Sequence, residues 1–187
     1  MIAFYIIIGV VVVLLFIFIM TYNGLVRRRN QVKNAWAQID VQLKRRFDLI
    51  PNLMETVKGY MKHERATLEA VTKARNLAQQ VASAGAGERA KAEGELSSAL
   101  SRLLAVVENY PDLKANQNFL ALQEELTSTE NKISFSRQYY NDSVLRFYNQ
   151  TQMFPSNIVA SMTGFKASEF FEVTLAAERE APKVSFA

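Results

Sequence analysis

The chain has 187 residues, a formal net charge of +4 and no cysteine. Without cysteine it can form no disulfide, no thiolate nucleophile and no thiolate metal site. Arg27, Arg28 and Arg29 supply three of the four net positive charges, and the other basic residues are interleaved with Asp and Glu. A nucleic-acid-binding protein would concentrate its basic residues on one face, so we expect no nucleic-acid partner.

An unbroken apolar run occupies residues 2–20 and is followed closely by the three arginines. Extended through residue 26, the segment would form a helix of about 37 Å, longer than the roughly 30 Å hydrocarbon core of a bilayer. No Lys or Arg precedes the run, unlike in a cleaved signal peptide. Because basic residues beside a span resist translocation, we expect a single-pass protein with its N-terminus outside and its body in the cytoplasm, and with Arg27, Arg28 and Arg29 on lipid headgroups.

After the span, apolar residues recur every three or four positions, a spacing typical of helices. The first such pattern begins at Val32 and predicts one helix from the membrane to about residue 82. We expect Pro51, which lacks an amide proton, to kink this helix, and Gly59 to be a second weak point. The small residues of SAGAGE, 83–88, predict a turn after it.

Three further helices are predicted, at 88–109, 115–152 and 155–163, with a short loop after Tyr110 and a stop at Gly164. The longest carries a coiled-coil-like seam, weakened by Thr and Ser, at Phe119, Leu122, Leu126, Thr129, Ile133, Ser136, Tyr140, Ser143 and Phe147. Short loops join antiparallel neighbours. The sequence therefore predicts an all-α fold in which an N-terminal transmembrane helix continues into a long-helix antiparallel, up-and-down helical bundle.

The chain divides into three predicted parts. Residues 1–26 form the transmembrane helix with a short outer N-terminus, 27–165 the helical bundle, and 166–187 a partly extended tail. About 160 residues follow the span, enough for one domain with its own core. The end of the chain carries apolar residues that need a cover, namely Phe165, Phe170, Phe171, Val173 and Phe186. They pack either on their own bundle or on a neighbouring subunit, and we interpret the tail as a docking segment.

No motif in the chain predicts catalysis. The single histidine, His63, precedes Glu64, but no second histidine completes a zinc-protease motif. The SAGAGE turn lacks the Lys and Ser or Thr of a phosphate-binding loop, and no GxSxG elbow occurs. We therefore expect no enzyme, no catalytic residue, no metal and no cofactor.

Two stretches of polar residues, 38–64 and 130–149, are the remaining candidates for a functional surface. Most charges on a helix face water, and exposed ion pairs contribute only about 0 to 1 kcal/mol. The polar residues of 130–149 are more crowded, and we interpret them as a satisfied polar layer inside the bundle rather than a binding site.

Several strings, taken together and in order, resemble the bacterial LemA family over nearly the whole chain. They follow the N-terminal span and comprise Trp36 with Ile39-Asp40, RRFDLIPNL at 45–53, VKGYMKHE at 57–64, Ala74-Arg75, NYPDLKANQNFLALQEEL at 109–126, TEN at 129–131, RQYYN at 137–141, YN at 148–149 and FPSNIVA at 154–160.

The resemblance implies a small single-pass protein of the bacterial inner membrane with an antiparallel helical bundle and no established enzymatic activity. It also implies links to internal membrane compartments in some relatives and to an HtpX-type membrane metalloprotease in others. The motif positions carried over have no assigned role and are either structural or part of an interface: Arg45, Arg46, Asp48, Pro51, Asn52, Glu64, Arg75, Glu130, Asn131, Arg137, Tyr140, Asn141, Asn149 and Pro155.

Two functions follow as hypotheses. The first is a non-enzymatic membrane scaffold that self-associates through its bundle and tail into a homo-oligomer and organises or curves the bilayer. The alternative is an adaptor or regulator that binds a membrane partner, such as an HtpX-type metalloprotease or a sensor kinase.

Overall fold

The computed structural model describes residues 1–61 and 63–172, and its regular elements there are all helices. The six helices are α1 (Ile2–Lys58), α2 (Arg65–Gln80), α3 (Ala86–Val107), α4 (Pro111–Lys114), α5 (Gln117–Gln152) and α6 (Ser156–Thr163). The apolar N-terminal segment is the beginning of α1 and continues without a break into the body. The prediction of an all-α helical bundle with an N-terminal apolar helix is confirmed.

The prediction of one helix to about residue 82 is wrong, because α1 ends at Lys58 and α2 begins at Arg65. The break falls at Gly59, whose backbone entropy costs about 1 kcal/mol in a helix relative to alanine. The amides of Tyr60 and Met61 both donate to the Val57 carbonyl oxygen, at 3.0 and 2.9 Å. The Met61 side chain is buried after this turn. Pro51 lies inside α1 and does not end it.

Helices α3, α5 and α6 begin and end within about two residues of their predicted limits. The predicted loop after Tyr110 instead contains the single-turn helix α4, with Pro111 in its first turn and Leu113 fully buried. A proline is well suited to that position because its fixed φ matches the helix and its missing amide would have no partner there. Helix α6 ends at Gly164, whose φ of 72° is in the left-handed region that glycine adopts without strain.

The described chain divides into two compact units. The first unit contains residues 1–46 and 128–169. In it α1 and α5 run antiparallel, since Arg46 pairs with Glu130, Trp36 packs on Tyr140, and Gly24 lies against Gln150. Residues 2–20 are almost all exposed, whereas Leu25 is completely buried. Among the described residues, α1 is the single helix long and apolar enough to cross a membrane.

The second unit contains residues 47–127 and, within the described chain, 170–172. Helices α2 and α3 pack together in it and are joined by the turn at 81–85. Its core includes Ile50, Leu53, Val57, Met61, Val71, Leu96, Leu103, Leu113 and Phe119. Most residues of the predicted α5 seam are buried in their own unit, such as Phe119 in the second and Phe147 in the first. The seam therefore serves packing within one chain.

Candidate functional site

An ion pair lies inside the first unit. Arg46 on α1 is 1% exposed, and its Nη1 donates to Oε1 of Glu130 on α5 at 2.6 Å. The Glu130 side chain is one-third exposed. A charge taken out of water is costly unless an opposite charge compensates it, and Glu130 does so here. Two family-motif residues from distant parts of the sequence thus join α1 to α5.

An aromatic pair lies on the same two helices. The rings of Trp36 and Tyr140 have centroids 5.2 Å apart at an interplanar angle of 56°. The Tyr140 hydroxyl donates to the Glu169 backbone oxygen at 2.8 Å, which ties the segment after α6 to the bundle. Beside it, the Gln31 amide donates to the Tyr139 hydroxyl at 3.3 Å. The prediction of a polar layer inside the bundle is therefore right only in part. Glu130 and Tyr140 are hydrogen-bonded within the chain, whereas Asn131, Arg146, Tyr148 and Asn149 lie on exposed helix surface.

Burial, and secondly the Glu169 carboxylate, raise the pKa of the Tyr140 phenol above its usual value. A group whose pKa is higher in the folded state contributes stability that is full below the unfolded pKa, about 10, and is lost as the pH rises through the folded pKa. We therefore expect Tyr140→Phe to cost about 0.5–1.5 kcal/mol at neutral pH, through the lost hydrogen bond, and to reduce the loss of stability above pH 10.

The measurement is urea unfolding of the full chain in detergent at several pH values, followed by fluorescence of Trp36, the only tryptophan. The control Tyr139→Phe keeps Tyr140, and its free energy of unfolding should fall above pH 10 as it does in the wild-type protein. If the free energy of unfolding fell equally above pH 10 in Tyr140→Phe and in the wild type, Tyr140 would not contribute to the alkaline loss of stability.

The three predicted headgroup arginines are all exposed, at the end of the apolar stretch. The Arg29 guanidinium carbon lies 5.0 Å from the centroid of the Phe165 ring. Phe165 also packs edge to face against Tyr22 and Phe147, with centroids 5.8 and 6.1 Å apart. Phe165, which follows Gly164, thus packs on its own chain near the point where the exposed apolar stretch of α1 ends. Of the other apolar residues of the tail prediction, Phe171 is buried and Phe170 is exposed. Val173 and Phe186 lie outside the described residues.

In the second unit, Arg75 stabilises the region of Pro51. Proline donates no amide hydrogen to the carbonyl four residues earlier, which belongs to Phe47. The Arg75 Nε donates to that oxygen at 3.4 Å, and the guanidinium carbon lies 3.6 Å from the centroid of the Phe47 ring. These two motif positions therefore have a structural explanation.

Glu64 has a partner in the same unit. The Tyr110 hydroxyl donates to Glu64 Oε1 at 3.2 Å. Desolvation first, and then the Glu64 carboxylate, raise the pKa of the Tyr110 phenol. The pair connects the turn before α2 to the residue that precedes α4.

The remaining motif residues are not gathered around one cavity. Arg137 and Asn141 are half-buried in the first unit, and the exposed positions are Arg45, Asp48, Asn52, Asn131, Asn149 and Pro155. In residues 1–61 and 63–172, no group of three or more His, Asp or Glu side chains is placed to hold a metal ion. Some motif residues thus pack inside a unit, and the others lie on the exposed surface of the helices.

A groove on the first unit contains none of the motif residues. It has a volume of about 430 Å³ and is lined by Ala37, Gln38, Val41, Gln42, Lys132, Phe135 and Ser136. Phe135 and Val41 are 72% and 63% exposed, so the groove opens to solvent and resembles a protein-docking surface more than an enclosed ligand site. The buried Gln42 amide oxygen has no hydrogen-bond donor among the described residues. The sequence does contain a signal for this surface. Val41 and Phe135 are apolar, but they do not belong to the apolar positions, spaced three or four residues apart, that form the buried faces of α1 and α5.

Sequence comparisons with known proteins support the family resemblance. The sequence profile of the LemA family matches residues 35–186. Protein LemA of Metamycoplasma hominis is 27% identical over 164 residues, covering 84% of this chain and 74% of that protein. Magnetosome protein MamQ 2 of Paramagnetospirillum magneticum is 25% identical over 178 residues, and MamQ of Magnetospirillum gryphiswaldense 23% over 177.

The two magnetosome proteins are each matched over 82% of this chain, which spans 65% of their length. The family profile covers most of the chain, including Arg46, Glu130 and Tyr140, whose contacts hold the first unit together. The chain belongs to the LemA family.

Proposed function

We propose that this protein is a non-enzymatic scaffold of the bacterial inner membrane that self-associates and thereby organises or curves the bilayer. A single N-terminal span anchors it, with the N-terminus outside and the body in the cytoplasm. The exposed apolar stretch of α1, residues 2–20, is about 28 Å long, close to the thickness of a hydrocarbon core. Arg27, Arg28 and Arg29 follow it and favour the cytoplasmic side.

The groove on the first unit is the observation that carries self-association. Its surface offers both a projecting side chain, Phe135, and a depression beside it lined by Ala37 and Val41. A patch with both shapes can complement itself about a two-fold axis, with Phe135 of each copy in the groove of the other. Exposed aromatic residues at a concave surface are typical anchors of protein interfaces. The tail, of which 173–187 lie outside the described residues, is proposed as a second contact between copies.

The similarity to proteins named for the magnetosome supports a membrane-organising role, since the family resemblance already implies links to internal membrane compartments.

Phe135→Glu is expected to break the assembly, because the interface would have to bury a carboxylate where it now buries a ring. Light scattering coupled to size exclusion of the gently solubilised full-length protein at micromolar concentration should show a discrete multiple of the 21.2 kDa chain for the wild type and a smaller protein mass for the variant. The control Leu120→Glu changes a half-exposed residue of the same helix outside the groove and should keep the wild-type mass.

A wild-type protein that stays monomeric at micromolar concentration would contradict self-association. That result would leave the adaptor hypothesis, in which the groove binds a membrane protease or a sensor kinase. Co-purification with such a partner, abolished by Phe135→Glu and kept by Leu120→Glu, would then be the expected finding.

A further inference from the structure

The connection between α5 and α6, together with α6 itself, exposes four large apolar side chains. Met153, Phe154, Ile158 and Met162 are 64%, 80%, 52% and 72% exposed. We refer to these four residues as the apolar corner. The opposite side of α6 is already packed, through Ser156, Val159 and Ala160. The apolar corner is therefore not needed to fill the core of the first unit.

Contacts within the first unit place the apolar corner at the end of the exposed apolar stretch of α1. A Cβ added to Gly24 would lie 3.0 Å from the Gln150 side-chain nitrogen, and Tyr22 packs on Phe165. Because α1 and α5 are antiparallel and α5 ends at Gln152, two residues beyond Gln150, the connection that carries Met153 and Phe154 begins at about the level of Tyr22, within one helical turn of Met20. The apolar stretch of α1 ends at that level.

The charges around the apolar corner suit a lipid surface. Residues 153–168 contain no Asp or Glu. Exposed cations occur nearby: Arg29 lies over the ring of Phe165, Lys166 follows Phe165, and Arg27 and Arg28 precede Arg29 on α1. An amphipathic segment with Phe, Ile and Met on one face and cations nearby is the kind that lies in the boundary between headgroups and acyl chains, about 5–10 Å deep.

We propose that the apolar corner inserts into the membrane interface as a second membrane contact beside the span. The inference rests on the membrane anchoring in the proposed function, and it is independent of self-association. A span alone leaves a single helix free to tilt and rotate, and tilt is set by packing and by interfacial anchors. Insertion of α6 beside α1 fixes the orientation of the first unit on the bilayer.

Spin-label accessibility tests the inference on the full-length protein. The chain has no cysteine, so one introduced cysteine carries the only label. Labels are placed at Phe154→Cys and Met162→Cys in vesicles of phosphatidylethanolamine and phosphatidylglycerol. Collision with oxygen, which concentrates in the bilayer, is compared with collision with a water-soluble nickel chelate. All labelled positions are well exposed, so the substitutions leave the core intact.

Two reference positions make the outcomes distinguishable. Phe16→Cys, 64% exposed in the apolar stretch, reports the span itself. Leu120→Cys, 49% exposed on α5 outside the groove and about 48 Å along the helix from its end, is the matched control in water. We expect the oxygen-to-nickel collision ratio at Phe154 and Met162 to approach that at Phe16 and to exceed that at Leu120 several-fold.

Nickel-accessible labels at Phe154 and Met162, with an oxygen-accessible label at Phe16, would overturn the insertion and leave the span in place. A nickel-accessible label at Phe16 as well would overturn both the anchoring and the insertion. Labels at the apolar corner shielded from both reagents would also overturn the insertion, since a protein surface would then cover them.

Discussion

Replacing Arg46 by alanine is expected to lower the free energy of unfolding of the first unit by about 3–5 kcal/mol. The change removes the 2.6 Å contact with Glu130 and deletes one of the largest fully buried side chains in the described structure. Both losses act in the same direction, because the partner charge loses its compensation and the interior is left with a cavity. Urea unfolding of the full-length protein in detergent, followed by Trp36 fluorescence, measures the effect in the unit that contains both residues.

Lys132→Ala is the matched control, since it removes an exposed cation from α5 two residues after Glu130. It should change the free energy of unfolding by no more than about 0.5 kcal/mol. The paired replacement Arg46→Met with Glu130→Leu should recover much of the loss, because apolar side chains of similar size can replace a buried ion pair at little cost. A loss below about 1 kcal/mol in Arg46→Ala would show that the pair contributes no more than a surface ion pair.

The helices could be predicted from the sequence because their apolar periods and stop signals are local. Gly164 and the residue before Pro111 marked the ends of helices that the structure also has. The helix end at Lys58 was harder to predict. The apolar pattern continues past both Pro51 and Gly59, and it does not indicate at which of these two weak points the helix stops. The structure explains the choice: Arg75 supplies a donor to the Phe47 carbonyl that Pro51 leaves free, and the Gly59 turn buries Met61. Both effects depend on contacts between residues distant in the sequence, which rules based on local sequence cannot predict.

The candidate surfaces were less predictable than the helices. The family motifs pointed to Arg46, Glu130 and Tyr140, which the structure brings into the first unit as packing and hydrogen-bonding residues. The groove beside Phe135 lies outside those motifs, and the FPSNIVA motif contains Phe154 and Ile158 without indicating that they are exposed. Exposure of one apolar residue is ordinary, and only the contacts between α1 and α5 show which exposed residues lie side by side. The meaning of Phe135 and Phe154 therefore depends on the fold.

Phe147→Ala is expected to lower the free energy of unfolding by about 3–5 kcal/mol, the range for removing a buried aromatic ring. Phe147 is 1% exposed and packs edge to face on Phe165, which itself lies against Tyr22 and beneath Arg29. Loss of the ring therefore removes core volume and weakens the attachment of the segment after α6. Urea unfolding of the full-length protein followed by Trp36 fluorescence is again the measurement.

Tyr148→Ala is the control, an aromatic residue next in the chain that is 43% exposed, and its cost should be about 0.5 kcal/mol or less. A double-mutant cycle with Phe165→Ala separates the ring contact from the cavity, and an edge-to-face pair should give a coupling energy of about 0.5–1.5 kcal/mol. Similar costs for Phe147→Ala and Tyr148→Ala would contradict the burial of Phe147. A large cost of Phe147→Ala with no coupling energy would instead show that the lost stability comes from the cavity. The contact with the Phe165 ring would then contribute nothing measurable. The apolar corner would then depend on α6 and its buried residues, Val159 and Ala160, for its position beside α1.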